Sequence, residues 1–328
     1  MCIRDRYHST FGYRFIPDLK ARVEHESGGY LLRTNSSGFR CEHNFDGERC
    51  SNTHRALLFG DSFTAGDGVS NKNRYGDKLE EMIKNLEVWN FGLSGTGTDQ
   101  QFLIYDELAQ NIDCDVIIIG VLVENIRRVA ARFRHFELTS GEEQLLCKPY
   151  FTLVDGELIV HQIPVPQEPV DEKSLPVDQI DQNGRMPWLR LLVNSLGPIP
   201  KQIVQKVTGY DPVPAYNMVD DADWQLMSAI LQRWIERCRQ PVILVPIPLY
   251  QHVEKTANPD SYRARFRELA ALTGAVLHDP LDDLWSFSHQ ERRKFRFKED
   301  IHLTSAGHLA LAESLAPIIR STLSAKKS

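Results

Sequence analysis

The sequence has no uninterrupted apolar run near the roughly 18 residues that a membrane-spanning helix needs, so no span is expected. It has no excess of positive charge either: 38 Lys and Arg stand against 44 Asp and Glu, a formal net charge of −6. A phosphate backbone is held by a concentrated basic face, which makes nucleic acid an unexpected partner. The one short basic run of the last third, Arg292-Arg293-Lys294, is closed off by Phe295 and Glu299-Asp300, and reads as a solvated helix end. The six cysteines, Cys2, Cys41, Cys50, Cys114, Cys147 and Cys238, form no C-x-x-C pair. A zinc ribbon or thioredoxin-type site is therefore excluded, and no metal or organic cofactor is called for. Cys41 and Cys50 are near enough in sequence to pair in an oxidising compartment, with free buried thiols as the default. An apolar leader is also missing from the N-terminus, which makes the cytoplasm the default compartment.

That default carries little weight, because Met1-Cys2-Ile3-Arg4-Asp5-Arg6 resembles translated adaptor sequence and leaves the native start and the compartment unassigned. Nothing in the sequence assigns an oligomeric state. What is present is an ordinary globular balance, 42% hydrophobic and 25% charged residues in a chain of 328. Residues 1–54 are polar and irregular, an N-terminal extension with turn chemistry at Ser27-Gly28-Gly29 and Asn35-Ser36-Ser37-Gly38. Strands and helices then alternate. Ala56-Leu57-Leu58-Phe59 reads as a buried strand, Tyr75–Leu86 as a helix, Val88–Gly92 as a strand, Gln100–Leu108 as a helix and Val116–Val123 as the strongest strand. After a gap, helix Trp224–Cys238, strand Pro241–Pro246, helix Tyr262–Leu272, strand Ala275–Leu277 and helix Thr304–Leu323 follow, with Thr304 as N-cap. The alternation predicts an α/β fold, a three-layer α/β/α flavodoxin-like parallel sheet over residues 55–325. An insertion at about residues 130–220 interrupts it. Within the insertion, Asp155-Gly156 between two apolar runs predicts a type I′ hairpin, and Trp188–Leu196 a short helix.

The chemistry-bearing residues stand just after the predicted strand ends, where open parallel sheets place their ligands. The first strand runs into Gly60-Asp61-Ser62-Phe63-Thr64, where Ser62 is either a nucleophile or a helix cap. Near the far end lies Glu299-Asp300-Ile301-His302. A serine hydroxyl needs a base to take its proton, and that base needs an acid to fix its tautomer. His308 is a competing base, but it lies in the last helix without an adjacent acid. Gly92-Leu93-Ser94-Gly95-Thr96-Gly97 after the second strand and Asn125 after the third can supply oxyanion donors. No Lys follows the glycines at the spacing of a phosphate loop. Arg127 and Arg128 are open to an anionic substrate or to a surface role.

The order Gly-Asp-Ser, Gly, Asn, His resembles the four motif blocks of the SGNH (GDSL-like) hydrolase superfamily, over roughly residues 31–325. Asn90–Gln101 is the nearest single stretch, and Asn35-Ser36-Ser37-Gly38-Phe39-Arg40 is similar to a segment that precedes the first strand in many relatives. The resemblance implies Ser62 as nucleophile and His302 as general base. It implies an oxyanion hole made by the backbone N–H groups of Ser62 and Gly95 and the Asn125 amide. Two departures stand out. Ile126 occupies the place where relatives usually carry Asp, which removes the usual support for the asparagine. The triad acid is Asp300 if the D-x-H pattern applies, or Glu299 if the acid lies three residues before the histidine; Asp300 is the expected one. The implied activity is hydrolysis of carboxylic esters through an acyl-enzyme, with a small-molecule or carbohydrate ester as substrate and a small acyl group such as acetyl. Transfer of the acyl group to a sugar hydroxyl, or carbohydrate binding without turnover, are the alternatives.

Overall fold

In the computed structural model of the chain, residues 5–137, 142–172 and 209–325 are described, together with residues 175, 179, 203, 205 and 207. The predicted helix Trp188–Leu196 lies outside the described residues. Two antiparallel hairpins open the chain, pairing β1 (Asp5–His8) with β2 (Gly12–Phe15) and β3 (Lys20–Val23) with β4 (Tyr30–Arg33). The alternating region follows as β5 (His54–Phe59), α1 (Ser62–Ala65), α2 (Tyr75–Met82), β6 (Leu86–Asn90), α3 (Thr98–Ile104), β7 (Val116–Leu122) and α4 (Asn125–Ala130). Two further hairpins interrupt it, β8 (Phe133–Glu137) with β9 (Glu143–Cys147) and β10 (Tyr150–Val154) with β11 (Glu157–His161). The alternation resumes with α5 (Ala222–Arg237), β12 (Val242–Ile247), α6 (Asp260–Thr273), β13 (Val276–Leu277) and α7 (Ser305–Ala325). No helix among the described residues is long and apolar enough to cross a membrane.

The five alternating strands form one parallel sheet in the order β6-β5-β7-β12-β13. In chain order this is 2-1-3-4-5, the flavodoxin-like doubly wound arrangement. The chain moves outward from β5 to β6, then crosses back to β7. The crevice between the carboxyl ends of β5 and β7 is thus the topological switch point. β7 and β12 are buried along their whole length because both faces of the sheet are covered. On one face Leu57, Phe59, Ile117, Ile119 and Leu244 pack against Phe102 of α3, Trp234 of α5 and Phe266 of α6. On the other, Ala56, Leu58, Ile118 and Ile243 meet Tyr75 and Leu79 of α2 and Leu311, Leu315 and Ile319 of α7. The three layers follow from this two-sided burial.

The N-terminal segment is more ordered than its composition suggested. Its hairpins alternate inward and outward side chains, and Phe11, Tyr13, Phe15, Tyr30, Leu32 and Phe39 join the core of the sheet's first face. The Asp155-Gly156 turn takes positive φ at both residues, 51° and 82°, and pairs Val154 with Glu157, as a type I′ hairpin requires. Thr304 caps the last helix, its Oγ1 accepting from the Gly307 N–H at 3.3 Å. Cys41 and Cys50 are both free thiols.

Candidate active site

β5 delivers its carboxyl end to Gly60, where only a hydrogen fits: a Cβ would run into the Thr64 side chain and the Gly120 carbonyl. Asp61, fully buried, caps α1 by accepting from the Phe63 N–H at 3.0 Å. The capping role that sequence left open for Ser62 thus belongs to its neighbour, and the Ser62 hydroxyl is left for another partner. That partner is His302. Ser62 Oγ lies 2.8 Å from His302 Nε2, and His302 Nδ1 lies 2.6 Å from Asp300 Oδ1. The same Asp300 oxygen also accepts from the His302 backbone N–H at 3.1 Å, which fixes the carboxylate against its own loop. Asp300, rather than Glu299, therefore holds the imidazole.

The imidazole's electrostatics follow from this arrangement. Burial works against a charged His302, but the Asp300 hydrogen bond and the carboxylates of Asp67, Asp300 and Asp61 outweigh it, raising its pKa above 6.5. Burial also opposes ionisation of Asp300, yet the donors from His302 and His25 hold it well below the usual carboxylate range. His308 is placed elsewhere. It is fully buried, its Nδ1 accepts from the Tyr75 N–H at 3.3 Å, and burial together with Arg74 and Arg40 pushes its pKa down to about 3.

Asn125 opens α4 after β7, fully buried, and its Nδ2 is a donor with no hydrogen-bond partner among the described residues. Its Oδ1 accepts from Arg128 Nη1 at 2.9 Å, which sets the amide so that the NH₂ group is the unspent end. The same guanidinium nitrogen reaches Asp61 Oδ2 at 2.9 Å and the Thr96 carbonyl at 3.3 Å. Arg128 thus ties together the β5, β6 and β7 loops, and supplies the support that an Asp at position 126 does not give here. Arg127 pairs instead with Glu124 at 2.8 Å. Gly95 has φ of +78°, and the Arg134 guanidinium, which donates to its carbonyl, lies where a Cβ would go. The positive φ favours glycine at this position, and a side chain there would also displace the Arg134 guanidinium. Tyr13 holds the neighbouring residue, donating to the Ser94 carbonyl at 2.6 Å.

The Asn35–Arg40 segment now has a physical role. Asn35 Oδ1 accepts from the N–H groups of Ser37 and Phe39, turning the chain so that Phe39 enters the core. Arg40, fully buried, then donates to the carbonyls of Gly66 and Val69, each at 2.7 Å. It fixes the backbone that follows Ser62. His25 and Glu26, which sequence reasoning missed, reach the Asp300 loop from the β3–β4 connection. No group of three His, Cys, Asp or Glu side chains among the described residues converges to hold a metal ion.

No family model and no curated protein matches the sequence. Among solved structures, the chain is similar to a lipolytic protein of the G-D-S-L family from Veillonella parvula, at 12% identity and a TM-score of 0.44 over 82% of this chain and 99% of that one. It is also similar to an acetyl xylan esterase, at 14% identity and a TM-score of 0.43 over 81% of this chain and 99% of that one. A lipase/acylhydrolase from Enterococcus faecalis aligns at 12% identity and a TM-score of 0.43, over 82% of this chain and 96% of the other.

Proposed function

We propose that the chain is a serine esterase of the SGNH hydrolase type, acting on carboxylic esters with a small acyl group such as acetyl, carried by a carbohydrate or another small alcohol. The observation that carries the reading is the continuous chain from Ser62 Oγ through both nitrogens of His302 to Asp300, at 2.8 and 2.6 Å. A nucleophile, a base and an orienting acid at such distances are what acyl transfer through an acyl-enzyme needs. The preference for acetyl on a sugar rests on the resemblance of the motif blocks.

Ser62 attacks the ester carbonyl carbon while its proton passes to His302 Nε2. The carbonyl π pair moves onto oxygen, where the Asn125 NH₂ and the N–H groups of Ser62 and Gly95 stabilise it. Collapse expels the alcohol, which takes the proton back from His302. Water then attacks the acyl-enzyme with the same base, releasing the acid and restoring Ser62. Asp300 stays ionised throughout and stabilises the imidazolium. An assembled set of nucleophile, base and acid also argues against a binding module in which these residues are relics.

The test is hydrolysis of p-nitrophenyl esters from acetyl to octanoyl by wild type, Ser62→Ala and His302→Ala. Turnover on the short esters that both substitutions abolish, with folding unchanged, is the expected result. Equal activity in all three proteins would remove the reading. Acetate release from acetylated polysaccharides, with and without a sugar acceptor, then separates hydrolysis from transfer.

A further inference from the structure

Asp300 is held from a part of the chain that does not belong to the parallel sheet. The connection between β3 and β4 carries His25-Glu26-Ser27 against the loop ahead of α7. Glu26 accepts from three consecutive backbone N–H groups, those of Lys298, Glu299 and Asp300, at 3.1, 2.9 and 2.8 Å. His25 Nε2 lies 3.1 Å from Asp300 Oδ2, the oxygen that His302 does not use. Ser27 reaches His25 Nδ1 with its hydroxyl at 3.1 Å and its backbone N–H at 3.4 Å, and Nδ1 accepting from them leaves Nε2 as the N–H that faces the carboxylate. The ring is seated edge-on against Phe297, with centroids 4.4 Å apart, and against Tyr30 at 6.0 Å.

The carboxylate torsion of an aspartate is broad and nearly two-fold, so a single donor leaves it free to rock. Here the ring and backbone N–H of His302 both stand on Oδ1, and His25 is the side chain that stands on Oδ2. The Asp300 side chain is 30% exposed, and water would otherwise compete for Oδ2. We propose that His25 is a positioning residue of the reaction, holding Asp300 Oδ2 so that Oδ1 stays aligned on His302 Nδ1. This rests on the serine esterase reading of Ser62, His302 and Asp300. The acid of the site is then completed by the N-terminal hairpin, and activation of Ser62 depends on that hairpin being docked.

The test measures labelling of Ser62 by a fluorophosphonate, which depends on nucleophile activation and needs no knowledge of the natural ester. Rates across reagent concentrations, read by intact mass, separate kinact from KI in wild type, Ser62→Ala, His25→Phe and His25→Gln. His25→Phe keeps the ring packing against Phe297 and Tyr30 and removes the donor; His25→Gln restores an N–H donor. The expected result is a kinact lower by about tenfold in His25→Phe with KI changed by less than about twofold. His25→Gln should recover to within about threefold of wild type, with thermal midpoints unchanged in both. Wild-type kinact in His25→Phe, or equal losses in Phe and Gln, overturns the positioning role while Ser62-dependent labelling still upholds the esterase reading. Absence of labelling at Ser62 in wild type overturns both.

Discussion

The loop that carries His302 and the first turns of the helix that carries His308 place two desolvated imidazoles close together in sequence and drive them in opposite directions. His302 faces Asp300, Asp67 and Asp61, and its pKa rises. His308 faces Arg74 and Arg40, and its pKa falls to about 3. Burial alone favours the neutral ring in both cases, so the sign of the surrounding charge makes the difference. A base must be able to hold the proton it takes, and only His302 has carboxylates to stabilise it. His308 is a fixed neutral acceptor for the Tyr75 N–H, part of the packing of α7 on α2.

The contrast breaks if His308 proves to be the base. Ser62→Ala and His302→Ala should each lower kcat/KM on p-nitrophenyl acetate by on the order of 10⁴ or more, while His308→Gln keeps activity within about threefold. A loss in His308→Gln that matches His302→Ala, with folding intact, would reverse the assignment. The two acids of the loop sharpen the same contrast. Asp300→Asn keeps the shape but offers His302 Nδ1 no carboxylate, and should cost on the order of 10³. Glu299→Gln should change activity by less than about twofold, since the Glu299 side chain is not the partner of His302.

On the oxyanion side, Asn125→Ala should lower kcat by about a hundredfold with little change in KM, because the donor acts on charge that develops only in the transition state. Arg128→Ala should cost less, about tenfold, since the amide survives but loses the contact that sets its orientation. Steady-state kinetics on a short-chain ester checks both. Equal losses in the two variants would mean that the Asn125 amide donates only when Arg128 holds it.

How much of this was legible follows from the range of the signals. β5, β7 and β12 are apolar runs buried on both faces, and their period-free hydrophobicity is visible without a structure. Ser62 and Asn125 stand just past the ends of β5 and β7, so that half of the site could be read as strand ends; His302 stands instead just ahead of α7, with two short helices, Leu281–Ser286 and His289–Arg292, between it and β13. The β1–β4 hairpins are strands of four residues, of which only β2 and β4 bury one face, too short for period-two patterning to separate from polar loop. The link from His25 to Asp300 spans 275 positions and leaves no local trace. Arg128 was half visible: Asn125 and Arg128 are spaced i, i+3 on a helix, which brings their side chains together, but the resemblance directed attention to position 126. The helix predicted to reach Leu86 stops at Met82, because Asn85 adopts a left-handed φ of 60° and Leu86 opens β6. Shared apolar residues hid that boundary.

The paired histidines also differ in how they couple to acid. Between 6.5 and about 3, the unfolded chain holds a proton on residue 308 that the folded chain does not. Stability is therefore fully present above 6.5 and falls as the pH drops toward 3, with a slope of up to about 1.4 kcal/mol per pH unit from this one group. Urea midpoints measured from pH 7 to pH 4 should fall more steeply in wild type than in His308→Gln. Parallel slopes would mean that residue 308 is protonated in the folded state, and that the arginines do not control it.

The smallest expected effect bears on the other imidazole. Asp67 Oδ1 accepts from Ser94 Oγ at 2.7 Å, and its carboxylate is one of those that raise His302. A raised pKa means that His302 must be titrated at higher pH before it can accept the Ser62 proton, so the acid limb of kcat/KM should lie above 6.5. Asp67→Asn keeps an acceptor for Ser94 and removes only the charge. The limb should then move toward lower pH while the plateau is held, because geometry at Ser62 is unchanged. A limb that stays in place would assign the raised basicity of His302 to Asp300 and Asp61 alone. The contrast with His308 would then rest on those two carboxylates rather than on the wider field of charges.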